Sequence, residues 1–328
     1  MLRQMIAKFN YYIEKHFGEG ASIFTKTKHA ILGVIDFIIY GSTVTDYFEL
    51  TFYKKSSFEK RKYMTFRDSN RFSKAFDDLD EGWKLSQKTE LSTWVGKYFK
   101  REQISTAEMS FAEFESFCDR HPTFLFKPSG GSCGIGIEII KVSEITDFHK
   151  VYESLHTKDG VLDEYIVQHR SMEKLHPQSL NTLRVVSVRI GSEVNIAAAV
   201  LRMGNEGSSI DNYSAGGIVA PVDLKSGLVT AAAEDIYGKR YVFHPYTGAQ
   251  IVGFNVPCWG KVIDLVRAAA ADAPLSYIGW DVAVRQDDCV IIEANYRPMI
   301  NAVQAADGGG KKEQFGSYIE QLKKERLK

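Results

Sequence analysis

Phe124-Leu-Phe-Lys-Pro-Ser-Gly-Gly-Ser-Cys-Gly-Ile-Gly-Ile137 runs an apolar strand into a lysine and then into a loop of small residues. Far downstream, Ile291-Ile-Glu-Ala-Asn-Tyr-Arg-Pro298 is a second apolar strand ending in oxygen-bearing side chains. In the first stretch Gly130, Gly131, Gly134 and Gly136 permit positive φ and bring backbone N–H groups close to an anion, while Lys127 adds a compact charge. The loop reads as a phosphate cradle. It is not a Walker A loop, because no Gly-Lys-Ser/Thr follows, and it lacks the Gly-x-Gly-x-x-Gly of a dinucleotide fold. A plain glycine-rich hairpin joining Phe124–Lys127 to Ile135–Val142 is the alternative reading.

Period-two alternation along Cys289–Asn295 puts Glu293 and Asn295 on one face of a strand. A hard dication such as Mg2+ takes oxygen ligands of this kind, with waters and phosphate oxygens completing its shell. Asp281, in Tyr277-Ile-Gly-Trp-Asp-Val-Ala-Val284, offers a third oxygen donor. The turn Arg285-Gln-Asp-Asp288 lets the two strands pair and brings the three side chains together. Polar residues on a solvated strand face are the competing explanation.

The 328 residues are 44% hydrophobic, enough for one large or two modest domains. Lysine plus arginine and aspartate plus glutamate both number 41, so no global charge argues for nucleic acid. Cys118, Cys133, Cys258 and Cys289 form no Cys-x-x-Cys pair and no metal spacing with histidine, which fits a reducing compartment. Residues 1–10 lack a signal-peptide pattern, and Ala30–Tyr40 is too short and too interrupted by Asp36 to span a bilayer. A cytoplasmic location without a transmembrane segment is expected. The Ala30–Tyr40 run is expected to be a buried helix, with peripheral membrane contact through Lys8–Tyr40 as the alternative.

Residues 1–86 read as mostly helical, and the basic run Tyr53–Tyr63 as a solvated helix face. Helices are expected over Thr89–Lys100, Phe111–Asp119 with Ser110 as N-cap, Ile145–Leu155, Trp259–Ala271 and the C-terminal Lys311–Lys328. Strands are expected at Ile137–Val142, Leu162–Gln168, Arg184–Ile190 and Val194–Leu201, with a loop over Gly207–Gly217. Helices and strands intermix, giving an α+β class.

The order of these motifs resembles the ATP-grasp superfamily, and specifically the sugar-transfer-associated ATP-grasp proteins of polysaccharide biosynthesis. The residues that carry the resemblance are Phe126–Gly134, Val167–His169, Ser179–Val186, Asp211–Gly217, Gly279–Asp281 and Glu293–Asn295. It implies an ATP-grasp fold, two α+β lobes sandwiching ATP, with the domain over 87–328 divided into a glycine-loop lobe (87–168) and a metal-binding lobe (169–328). Lys127 then contacts the α- and β-phosphates beneath a closing loop of Ser129, Gly130, Gly131, Ser132 and Gly134. Lys88 looks like the earlier nucleotide lysine, although Gln87 stands where the family has an acid. Gln168, His169 and Ser171 fall on the adenine hinge. Arg184 and Arg202, with Lys127, are expected to steady the transferred phosphate, or else to form salt bridges within the sheet. Asp281, Glu293 and Asn295 are the expected Mg2+ ligands. Asn212, Arg297 and Asn301 are expected at the substrate, with Gln304 and Asp307–Gly310 shaping the acceptor side.

The implied activity is that of an ATP-dependent carboxylate–amine ligase working through an acylphosphate on small-molecule, possibly sugar-linked, substrates. A sugar or small-molecule kinase on the same scaffold, and a nucleotide-binding regulatory subunit of a glycan-assembly complex, are the alternatives.

Overall fold

The computed structural model describes residues 2–77, 96–129 and 136–327. Five α-helices occupy the N-terminal part: Leu2–Phe17, Ile23–Tyr40, Val44–Glu49, Ser57–Lys60 and Phe66–Phe76. Capping boxes at Thr43, Ser56 and Thr65 start the last three, each side chain trading hydrogen bonds with an acidic residue three positions on.

Two antiparallel sheets follow. The smaller contains β1 (Gln103–Ser105), β2 (Thr123–Pro128), β3 (Glu138–Lys141) and β4 (Gly160–Glu164), in the order β1-β4-β2-β3. The helix Phe111–Arg120 starts at the Ser110–Glu113 capping box and buries Phe114, Phe117 and Cys118 against Phe124 and Phe126 of β2. β2 and β3 pair with Thr123 opposite Lys141, so the glycine-rich stretch does join two antiparallel strands. Its residues 130–135, and the Thr89–Val95 part of the expected helix, lie outside the described residues.

The larger sheet has the order β11-β10-β5-β6-β7-β8-β9. Its strands are β5 (Thr182–Ile190), β6 (Glu193–Met203), β7 (Ile218–Pro221), β8 (Ala233–Glu234), β9 (Arg240–Tyr241), β10 (Tyr277–Val284) and β11 (Cys289–Tyr296). Every residue of β10 is buried, as expected for a strand covered on both faces. The helix Trp259–Asp272 covers one face, packing on Leu183, Val185, Trp280 and Val282. On the other face Tyr277, Val186 and Val188 meet Phe72 and Phe76 of the N-terminal helices and Phe315 of the C-terminal helix Lys312–Glu325. The N-terminal helices are therefore part of this lobe's core. Gln304 locks the join, accepting from the Met64 amide at 2.7 Å and donating to the Met64 carbonyl at 2.9 Å.

Three sequence expectations need correction. The strand expected over Leu162–Gln168 ends at Glu164, because the chain leaves the sheet and enters the helix Arg170–Leu175. The helix expected over Ile145–Leu155 starts later, at Phe148, where the Asp147 side chain caps it. The run Ala30–Tyr40 is helical but not buried: of the helix Ile23–Tyr40 only His29 and Asp36 are buried, and Ile38 is 67% exposed.

Candidate functional site

Register on the larger sheet decides which side chains meet. β10 and β11 form the expected hairpin, closed where the Arg285 amide donates to the Asp288 carbonyl at 2.9 Å. Asp281 lies opposite Glu293 and Gly279 opposite Asn295, so Asp281, Glu293 and Asn295 share a face. A bulge between Asp281 and Val282, which leaves Ile292 without a partner, separates this polar group from the apolar end of the hairpin. On the neighbouring strand Arg184 stands opposite Asp281, and Arg202 stands opposite Thr182, two residues before Arg184. Five expected site residues thus share one sheet face.

Their contacts form a chain of charge. Arg184 grips Asp281 through Nε and through Nη2, the latter at 3.1 Å. Arg202 spans two carboxylates, giving Nη1 to Asp281 at 2.9 Å and Nη2 to Asp211 at 2.8 Å. Asp211 also accepts from the Thr182 amide and hydroxyl at 3.1 and 2.5 Å. Burial works against the Asp281 charge, but Arg184 and Arg202 outweigh it and hold the carboxyl below its ordinary range. Burial likewise opposes the Arg202 charge, and Asp211 and Asp281 more than reverse that. The salt-bridge reading of the two arginines therefore describes their geometry. The buried Nε of Arg202 keeps no hydrogen-bond partner among the described residues.

The smaller sheet contributes a second charged cluster. Lys127, at the end of β2, pairs with Asp163 of β4, and Arg101 reaches the same carboxylate at 2.5 Å. Burial opposes the Asp163 charge, yet Arg101 and Lys127 keep its carboxyl below the usual range. Arg101 also donates to the Ile292 carbonyl at 2.9 Å. Ile292 immediately precedes Glu293, so a single guanidinium ties the lysine cluster to the carboxylate strand. Arg101 and Asp163 were missed in the sequence because neither lies in a motif, and β4, Gly-Val-Leu-Asp-Glu, carries no apolar–polar alternation that would single out Asp163.

Several expected residues are committed elsewhere. The Gln168 side chain donates to the Ser179 carbonyl at 2.7 Å and accepts from the Asn181 amide at 3.0 Å, which leaves it structural. His169 donates its backbone N–H to Val284 at 2.7 Å and caps its helix by accepting from Ser171 at 3.0 Å. Ser129 donates to Asp159 at 2.9 Å. The Asn212 side chain accepts from the Ser214 amide at 3.0 Å, holding the Asp211–Gly217 loop. Arg297 has φ 49° and donates to Asn70 of the N-terminal helices, so the chain turns away from the sheet face there.

Asn301, expected at the substrate, packs against the N-terminal helices. It is 4% exposed, and its amide donates to Asp46 at 3.1 Å and Glu49 at 3.0 Å, joining the helix Asn301–Asp307 to the N-terminal helices. The acceptor-side reading of Gln304 has a geometric remnant. Gln304 and Gly308 line a cavity of about 280 Å3 with Lys54, Lys55, Glu234 and Arg240, and no expected nucleotide or metal residue shares it. Lys88, Gly130, Gly131, Ser132 and Gly134 lie outside the described residues.

For a divalent cation the fit is divided. Glu293 is exposed and Asn295 half-buried on the same face, which suits a cation that keeps waters and phosphate oxygens. Asp281 has both oxygens engaged by guanidinium groups, with Oδ1 accepting from Arg184 alone. Among the described residues no three His, Cys, Asp or Glu side chains cluster as a ready-made metal site.

Residues 90–317 match the family described as sugar-transfer associated ATP-grasp. The chain belongs to that family. No curated protein matches the sequence. Among solved structures it is similar to the ATP-grasp ligase PsnB complexed with a phosphomimetic variant of minimal precursor, Mg and ADP, with 12% identity, TM-score 0.46, and 79% of this chain and 66% of that one covered. It is similar to D-alanine–D-alanine ligase from Bacillus anthracis with 12% identity, TM-score 0.45, and coverage of 82% and 78%. A third is N5-carboxyaminoimidazole synthetase from Staphylococcus aureus complexed with ADP, with 9% identity, TM-score 0.41, and coverage of 66% and 46%. The family match includes both sheets and both charged clusters and leaves out the helices before residue 77.

Proposed function

We propose that this ATP-grasp protein is an ATP-dependent ligase that joins a carboxylate to an amine through an acylphosphate. The observation that carries the reading is the bridge from Lys127 through Asp163 and Arg101 to the Ile292 carbonyl, which sets a phosphate-binding lysine beside the Glu293–Asn295 strand. ATP is a co-substrate in this scheme. Lys127 holds its phosphates, and Arg184 and Arg202 face the group in transfer. Glu293 and Asn295 would hold Mg2+, with Asp281 as the further oxygen donor on the same face. Bound there, the cation neutralises and orients phosphate oxygens.

The substrate carboxylate attacks the γ-phosphorus as the bond to ADP breaks, making a mixed anhydride with a good leaving group. The amine then attacks its carbonyl carbon, loses a proton, and expels phosphate carrying one former carboxylate oxygen. The planar forks of Arg184 and Arg202 suit the charge shared by entering and leaving oxygens, so catalysis is mainly positioning and electrostatic stabilisation. A sugar-linked carboxylate, such as a uronic acid, is the proposed donor, and an amino acid or other small amine the acceptor. This substrate class rests on the family's description and not on a pocket residue.

The test supplies Mg-ATP with pooled amines and 18O-carboxyl-labelled uronic acids. The ligase reading expects ADP, an amide-mass product, and one 18O in the released phosphate. ADP with a phosphorylated hydroxyl compound and no released phosphate would replace it with a kinase, and ATP binding without turnover on broad pools would favour a regulatory subunit.

A further inference from the structure

The helix Ile23–Tyr40 carries its polarity reversed. The positions turned toward the protein recur at Thr25, His29, Leu32, Asp36 and Tyr40, the spacing of one helical face. Its polar members are satisfied: His29 Nδ1 bonds the Tyr47 hydroxyl at 2.8 Å, and Asp36 takes the Lys60 ammonium at 2.8 Å. Arg67 further pins the end of the helix, donating to the Phe37 and Ile38 carbonyls at 2.7 and 3.2 Å. Rolling the helix to bury its isoleucines would strand these groups. The outward face therefore presents Ile23, Phe24, Ile31, Val34, Ile38 and Ile39, which are 56% to 80% exposed. Contiguous apolar surface of this kind marks a place of interaction.

We infer that this face docks on an anionic lipid bilayer, the helix lying in the plane of the interface. Length argues for lying rather than crossing. The helix has 18 residues, and at a rise of about 1.5 Å each it spans about 27 Å, short of a hydrocarbon core of about 30 Å. No helix among the described residues is long and apolar enough to cross a membrane.

Charge argues for an anionic surface. The helix carries Lys26 and Lys28, and its single carboxylate, Asp36, is turned inward and paired with Lys60. Exposed Lys8 and Lys15 lie on the helix Leu2–Phe17, which touches it where Phe17 stacks on His29 at 4.3 Å. Exposed Arg61 and Lys62 follow directly on Lys60. An apolar strip with basic flanks is the pattern of an interfacial helix. Footprint argues against a second copy of the chain. A single helix face about 27 Å long and about 10 Å wide falls short of the roughly 800 Å2 per partner of a stable interface, whereas a bilayer accepts any apolar strip.

The test is co-sedimentation of the full chain with phosphatidylglycerol–phosphatidylcholine vesicles, with a Val34→Glu/Ile38→Glu double variant alongside. The wild type should bind anionic vesicles, and more weakly in high salt or on phosphatidylcholine alone. The double variant should lose about tenfold or more of its partitioning with its far-ultraviolet circular dichroism unchanged. A Lys26→Glu/Lys28→Glu variant, which leaves the apolar strip intact, should lose binding only to the anionic vesicles. Wild type that stays in solution with every vesicle, or variants that bind as wild type does, would overturn the inference. A wild-type dimer that the Val34→Glu/Ile38→Glu variant splits, with no vesicle binding, would assign the face to a second copy instead.

Discussion

Gly279 shows how little space the charged face allows. A Cβ there would lie 2.8 Å from Cβ of Pro298 and 3.4 Å from Cδ of Arg184, so the arginine lies over a bare backbone. Gly279→Ala should therefore displace Arg184 or the Pro298 turn, and we expect turnover to fall by roughly tenfold or more, as a small misplacement of a positioning group does. ADP release compared with the thermal midpoint checks this; full activity at unchanged stability would contradict it. Asp281 makes the complementary case. Asp281→Asn leaves Arg184 and a buried Arg202 without their shared anion, and breaking a buried pair from one side typically costs about 3–5 kcal/mol. A urea midpoint that does not move would refute the expected loss. Because the folded Asp281 pKa lies below its unfolded value, its contribution is complete above the ordinary aspartate range and fades as pH falls through the folded value. The variant should lack that part of the acid sensitivity.

Among the elements, hairpins and capped helices were legible in the sequence. The strand pair β10–β11 followed from alternation and a four-residue turn, and the helix at Phe111 from Ser110 and Glu113. What failed was the environment of elements whose pattern matched their shape. Ala30–Tyr40 reads as a buried helix because its residues are apolar, yet the side of the helix Ile23–Tyr40 that packs is the polar one, and only tertiary partners such as Tyr47, Lys60 and Arg67 reveal it. The two-residue strands β8 and β9 carry too short a pattern to be seen. The first helix adds a pH effect. Burial pushes the His16 pKa down to about 4 from an ordinary value near 6.5, with Lys54 and His29 adding to the shift. An unfolded chain then binds the proton that the folded chain refuses, so stability present above about 6.5 is lost as pH falls toward about 4. His16→Gln should flatten thermal midpoints across that window; an unchanged slope would rule His16 out as the cause.

At the scale of the whole molecule, the motif residues sort into two groups. Arg184, Arg202, Asp281, Glu293 and Asn295 share one face because strand register, which alternation encodes, sets them there, and Lys127 of the smaller sheet is tied to that hairpin through Asp163 and Arg101. Asn301 and Gln304 follow β11 closely in sequence, but their side chains bond the N-terminal part of the chain. The chain turns at Arg297 and runs back into the N-terminal helices, whose partners lie more than two hundred residues earlier. Arg101 is the converse, a residue outside every motif that joins the two charged clusters. We propose that these clusters form one site for Mg-ATP. Calorimetric titration of Mg-ATP into wild type, Lys127→Ala and Glu293→Ala tests it without knowledge of the other substrates. Wild type should bind, Lys127→Ala should bind at least about tenfold more weakly, and Glu293→Ala should lose the magnesium dependence. Equal, magnesium-dependent binding by all three would contradict it.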